Sequence, residues 1–223
     1  MQQGHTVYFK NKPKIVATGT VAGPKECAGV AGRYVDYPLG DDMFGEETFE
    51  RAERKMLLTA LECAVRKAKL AQSEVDAIVS GDLLNQIISA SFAARETGLP
   101  FLGIYSACST MSEALLLAAV LTDGGYAENV AAATGSHFSS AERQYRYPLE
   151  LGTTRPPQSQ WTVTGAGCAM VSRAGSGPVI TCGTVGRVID YGVWDVNNMG
   201  AAMAPAAADT ILTHLRDTGR DPS

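Results

Sequence analysis

The hydrophobic positions of the chain fall into two periods. Residues 14–19 form a first short apolar run, and residues 75–80, 101–105 and 129–133 follow as further runs bounded by turn residues. The last three are continuously apolar rather than alternating, which predicts strands covered on both faces, as in parallel sheets. Between the runs the period changes to three and four. Phe49, Ala52, Met56, Ala60 and Ala64 mark one face of a helix, with Glu50, Arg54, Glu62 and Arg66 placed between them as i, i+4 ion pairs. A second helix is predicted over residues 86–97, stopped by Gly98 and Pro100. The resulting order is β-α-β-α-β-α-β.

The third helix, residues 111–121, carries the run Ala-Leu-Leu-Leu-Ala-Ala-Val-Leu and is apolar all the way round. No face is left for water, so it is predicted to lie inside the protein between two sheets. That placement implies a five-layered α-β-α-β-α architecture. From Trp161 onward short strands and glycines take over, with strands expected over 163–172 and 178–190. Gly165-Ala166-Gly167 followed by Met170 fails the dinucleotide-binding fingerprint and is read as a turn before a strand. Residues 211–215 echo residues 57–61, each set within an alanine-rich helix.

Composition narrows the classes of function. The chain has 223 residues, 45% hydrophobic and 19% charged, enough for one large domain or two small ones. Its net charge is -4 with a pI of about 5.4, and the basic residues are scattered, so no nucleic-acid partner is expected. The opening residues lack the apolar core of a secretory signal, and the longest apolar stretch, 114–121, is far short of the roughly 20 residues that span a bilayer. Five cysteines at 27, 63, 108, 168 and 182 contain no Cys-x-x-Cys pair. An odd, unpaired set with three histidines argues against a zinc site or a disulfide framework, and for reduced, intracellular thiols. No cofactor or metal is expected.

Cys108 is the chemically loaded position. It follows a predicted strand and precedes the apolar helix, whose start is marked by Thr110 and Glu113 as a capping box. That helix end favours an anion, and hence a thiolate. The alternative is a small buried hydrophobe, the usual fate of a free cysteine. Asp82 and Asn85 follow a strand end, where α/β pockets collect, or simply cap a turn. His137, with Ser136 beside it, directly follows the strand at 129–133 and either meets a ligand carboxylate or satisfies local backbone.

Several segments taken together carry a resemblance. Gly81-Asp82-Leu83-Leu84-Asn85-Gln86, Ala107-Cys108-Ser109-Thr110, Ser136-His137 with Ala141-Glu142-Arg143-Gln144-Tyr145-Arg146-Tyr147-Pro148, Gly186-Arg187-Val188-Ile189-Asp190 and the run from Met199 to Thr210 resemble, in order, the stage V sporulation protein AD family. The resemblance implies a thiolase-like fold of two pseudo-duplicated halves. A complete N-terminal half would occupy residues 1–177, and the start of the second half residues 178–223, with residues 206–215 as its first helix.

The same resemblance implies binding of dipicolinic acid (pyridine-2,6-dicarboxylate), as the free dianion or its calcium chelate. It further implies support of uptake into the developing spore as a peripheral component of a membrane channel. Other stage V sporulation A-operon membrane proteins would be partners, the spore inner membrane the location, and a homodimer through the central strand the assembly. The ligand contacts would be Asp82, Asn85, Cys108, Ser136, His137, Arg143 and Arg146. An arginine fork suits a flat diacid, although exposed arginines are more often solvated. The alternative is a thiolase-like acyltransferase with Cys108 as nucleophile. Its His and Asn, or second Cys, would have to come from the C-terminal half.

Overall fold

The computed structural model describes residues 2–145, 161–195 and 198–222, and the chain divides into two compact units. Pro13–Val179 forms the larger; Met1–Lys12 with Ile180–Ser223 forms the smaller. The first twelve residues thus join the segment from residue 180 onward.

The smaller unit begins with β1 (Gln2–Gln3) and β2 (Thr6–Tyr8). The larger follows with β3 (Lys14–Ala22), α1 (Pro24–Cys27), β4 (Tyr37–Pro38), α2 (Phe49–Ala68), β5 (Ala77–Gly81), α3 (Ile88–Thr97) and β6 (Phe101–Gly103). It continues through α4 (Thr110–Asp123), β7 (Asn129–Ser136), α5 (Phe138–Tyr145) and β8 (Gly165–Ser172). The smaller unit resumes with β9 (Cys182–Thr184) and α6 (Met199–Thr218).

The six-stranded sheet of the larger unit has the order β4-β3-β8-β7-β5-β6. β7, β5 and β6 run parallel, as their continuous apolar runs predict, whereas β8 runs antiparallel to both β7 and β3. A strand buried on both faces reads the same in either direction, so periodicity could not assign this reversal. Alternate residues of β8 separate the two faces. Ala166, Cys168 and Met170 join the core beneath α2, whereas a Cβ on Gly167 would point at Met111 of α4, 3.6 Å away. The helices α2 and α3 therefore pack on one face and α4 on the other.

α2 begins at Thr48, whose hydroxyl accepts the Arg51 N–H at 3.3 Å. Its apolar stripe, Ala52, Met56, Ala60 and Ala64, is fully enclosed, and small residues there bring the helix very close to β3. A Cβ on Gly19 would lie 2.1 Å from the Ala60 carbonyl oxygen and 2.7 Å from the Ala64 nitrogen. Of the residues expected to pair within this helix, Glu50 and Arg54 instead make longer-range ion pairs. Arg54 reaches Glu96 of α3 at 2.8 Å and Glu50 is bound by Arg143 of α5. The i, i+4 contact that forms is Arg51 with Glu47, 3.0 Å apart.

The expectation of an interior α4 is corrected. Thr110, Ala114, Ala118, Ala119 and Thr122 are buried against the sheet, but Val120 is 40% exposed and the leucines are only half-buried. One face of a six-stranded sheet is a narrow contact for a helix with apolar residues on every side. It covers the alanine face and leaves the leucine face open among the described residues. The larger unit thus presents three layers, α2 and α3, the sheet, and α4.

In the smaller unit β1, β2 and β9 form an antiparallel sheet. Of the run expected over 178–190, only Cys182–Thr184 is strand. A hydrogen-bonded chain joins this sheet to α6. Thr6 Oγ1 donates to Asp217 Oδ2 at 3.0 Å, Thr6 and Thr184 hydroxyls lie 2.8 Å apart, and Thr184 Oγ1 lies 2.8 Å from His214 Nδ1.

Candidate functional site

The C-terminal ends of β5 and β7 and the turn after β6 carry most of the residues expected to form a site. At the end of β5, Gly81 lets two segments close in: a Cβ there would lie 2.1 Å from the Ile104 carbonyl oxygen and 3.1 Å from Thr110 Cγ2. Thr134 Oγ1 of β7 donates to the Gly81 carbonyl at 3.0 Å. These contacts bring the turn Ala107–Ser109 and the start of α4 against the strand ends.

Cys108 sits on that turn and is exposed, not enclosed. Ala107, immediately before it, adopts the left-handed conformation with φ 45°, a strained position for a residue with a Cβ. The predicted capping box does not form. Thr110 is already helical, its hydroxyl donates to the Ala107 carbonyl at 2.8 Å, and the cap position falls to Ser109. Ser109 makes no side-chain cap; its hydroxyl donates instead to the Ser106 carbonyl at 2.8 Å. The first-turn N–H groups of α4 therefore have no side-chain acceptor.

Asp82 is almost fully buried, and its carboxylate is spent on the polypeptide itself. Oδ1 accepts the Leu84 N–H and Oδ2 the Ala90 N–H, each at 2.7 Å. Burial pushes its pKa up, and the backbone donors hold it back. It anchors the first turn of α3 to β5 through these bonds. Asp82→Ala is accordingly expected to cost about 1–3 kcal/mol by orphaning buried N–H groups, read as a lower denaturation midpoint at unchanged slope. A midpoint unchanged from wild type would contradict the anchoring role. Asn85 lies exposed on the following turn, where Gln86 and Ile87 are both left-handed, with φ 59° and 47°.

His137 is likewise bonded within the chain. It is completely buried, and burial holds its pKa below the ordinary value. Nδ1 accepts the Ser139 N–H at 3.1 Å, so the proton sits on Nε2, which donates to the Asp42 carbonyl at 2.9 Å. Phe49 and Phe138 stack against the ring at 4.8 and 5.2 Å. Ser136 Oγ donates to the Val163 carbonyl at 2.6 Å. Arg143 is exposed and paired with Glu50, and Arg146 lies outside the described residues.

Sequence reading missed a buried acid. Glu53 of α2 is 1% exposed, with Ser140 Oγ of α5 donating to Oε2 at 2.9 Å. Burial, joined by repulsion from Asp82, pushes its pKa up to about 8. Its signal was present: Glu53, Leu57, Ala60 and Ala64 share one helical stripe at steps of four, three and four.

The chain matches the family model described as stage V sporulation protein AD over residues 3–223. It is 41% identical over 215 residues to stage V sporulation protein AD of Bacillus subtilis, covering 96% of this chain and 64% of that protein's length. Among solved structures it superposes on 3-oxoacyl-(acyl carrier protein) synthase III from Xanthomonas oryzae with a TM-score of 0.62 at 15% identity, covering 96% of this chain and 75% of the other. It matches a variant of Xanthomonas campestris OleA, solved with bound lauric acid and lauroyl-CoA, with a TM-score of 0.63 at 11% identity and the same coverage. These neighbours share its thiolase-like fold, and the matched segments place the chain in the stage V sporulation protein AD family.

Proposed function

We propose that this chain contributes to binding dipicolinic acid, free or as its calcium chelate, in the sporulation role of its family, and that the Cys108 turn meets the ligand. The observation that supports this reading best is the open helix start. Cys108 is exposed there and Ser109 makes no side-chain cap, so an anion at the turn would lie by the positive end of α4 without displacing a capping side chain. Asp82, Ser136 and His137 hold the strand ends in place around the turn, each through its own backbone contacts.

A peripheral place in a spore inner-membrane channel, beside the other membrane proteins of the stage V sporulation A operon, belongs to the same proposal. Family membership supports it, and no helix of the described residues is long and apolar enough to cross a membrane. Pairing of two copies through β6 is part of the proposal too, because β6 ends the sheet and exposes Leu102.

Calorimetry on the full-length protein with dipicolinate and its calcium chelate is expected to give saturable heat, weakened at least about tenfold when Cys108→Trp fills the turn. Titrations without heat from folded protein would remove the reading. The fold shared with acyl-handling enzymes favours a second one, acyl transfer to Cys108. Against it, Cys108 makes no hydrogen bond among the described residues, and both ring nitrogens of His137 are engaged elsewhere. Incubation with acyl-coenzyme A and intact mass measurement would reveal an adduct, absent in Cys108→Ser, if that reading holds.

A further inference from the structure

Where the start of α2 meets α5, the side chains are rich in acid and short of free cations. Glu53 of α2 is 1% exposed and receives a hydrogen bond from Ser140 of α5, while Ser89 of α3 faces it from another side. Asp82 at the end of β5 and Glu50, one turn earlier on α2, act on it as like charges, and Glu142 of α5 is buried as well. The nearby cations are turned elsewhere: Arg143 binds Glu50, Arg54 binds Glu96 at 2.8 Å and Arg95 lies over the Phe92 ring. The His137 ring has both nitrogens engaged by backbone. Among the described residues no ion pair reaches Glu53. We propose that α5 is a pH-dependent latch on the start of α2, closed over Glu53 while that carboxyl keeps its proton and opening as the proton leaves.

α5 is the cover that can yield. Its enclosed side chains are Ser140, Ala141 and Glu142, one methyl and two polar groups, so little apolar surface holds it down. Its other ties are polar: the Phe138 N–H donates to Thr164 Oγ1 at 3.1 Å, Glu142 Oε1 accepts the Thr162 N–H at 3.2 Å, and Arg143 binds Glu50. The stack of Phe138 on His137 pins only the first residue of the helix. On the other sides of Glu53, α3 and β5 place Ala90, Ala93 and Ile78 in the main core and cannot move without unpacking it.

A charged Glu53 under a closed α5 would sit out of water beside Asp82 and Glu50, and lifting α5 hydrates it. Burial pushes this carboxyl up to about 8 in the closed form, from an ordinary value of 4.5 once water reaches it. The proton's contribution to closure is complete below the lower value and is lost as pH rises to the upper one. The open fraction therefore grows about tenfold per pH unit between about 5 and 8 and levels off above, where both forms are charged. This latch is independent of any ligand at the Cys108 turn.

Amide hydrogen exchange of the full chain between about pH 5 and 9, corrected for the intrinsic pH dependence of exchange, tests it. The α5 amides, among them Ala141, whose N–H donates to the His137 carbonyl at 3.0 Å, are expected to lose protection about tenfold per unit up to about pH 8 and to level off beyond. Low denaturant should leave these rates unchanged, the mark of an opening short of global unfolding. Glu53→Gln should flatten the profile, and Glu53→Met, which cannot ionise either, should do the same. Ser140→Ala should speed α5 exchange at every pH and keep the slope. A flat α5 profile in wild type, a slope that persists in both Glu53 variants, or α5 amides that exchange only together with the most protected amides of β7 would each overturn the proposal.

Discussion

Replacing Glu53 by glutamine is expected to stabilise the protein at pH 7 by up to about 3 kcal/mol and to flatten its stability between mildly acidic and mildly alkaline pH. In the unfolded chain this carboxyl titrates near 4.5, and in the fold near 8. The neutral form's contribution is complete below pH 4.5 and is lost progressively as pH rises to about 8. From pH 4.5 to 7, each unit removes about 1.4 kcal/mol from the wild type. Glutamine keeps an acceptor for the Ser140 hydroxyl and cannot ionise beside Asp82 and Glu50, the charged groups that act on this position. Denaturant melts of both proteins at several pH values between about 5 and 8.5 read the difference directly. Parallel curves for E53Q and wild type would mean that the carboxyl is already charged and matched in the fold.

Gly19→Ala is expected to act in the opposite direction, costing about 3 kcal/mol or more. The added methyl would meet the Ala60 carbonyl oxygen at 2.1 Å, the Ala64 nitrogen at 2.7 Å and Cys63 Cβ at 2.9 Å. Two of these are backbone atoms of α2, so no rotamer change relieves the clash and the helix must move off β3. That movement would also loosen Met56 and Ala60 in the core. A reduced denaturation midpoint, with weaker amide protection in α2, is the expected measurement. A variant as stable as wild type would show that α2 can ride outward without loss.

The elements of the larger unit were largely legible because their periods are strong and their ends are punctuated. Gly98 and Pro100 closed α3 where expected, and the apolar runs became β5, β6 and β7. What failed was inference from a residue to its environment. The leucines of α4 state that the helix prefers apolar surroundings, but not which surface supplies them, and Cys108 is correspondingly open. Thr110 and Glu113 have the spacing of a capping box, yet the turn ends one residue earlier and Thr110 bonds backward. Asp82 and His137 look like ligand contacts in sequence because polar residues at strand ends often are. Both bond to backbone, Asp82 to the Leu84 and Ala90 N–H groups just after it and His137 to the Ser139 N–H and the Asp42 carbonyl, and of these only Asp42 comes from a distant segment, which leaves no mark in a linear pattern.

The hydroxyl chain in the smaller unit allows only one ordering of its hydrogens. Thr6 gives its single hydrogen to Asp217, so Thr184 must give its own to Thr6, and His214 must supply the last one from Nδ1. An imidazole at one end is thereby oriented by a carboxylate at the other, three side chains away. A methyl in place of either threonine hydroxyl would cut that one-way line and free the ring to turn.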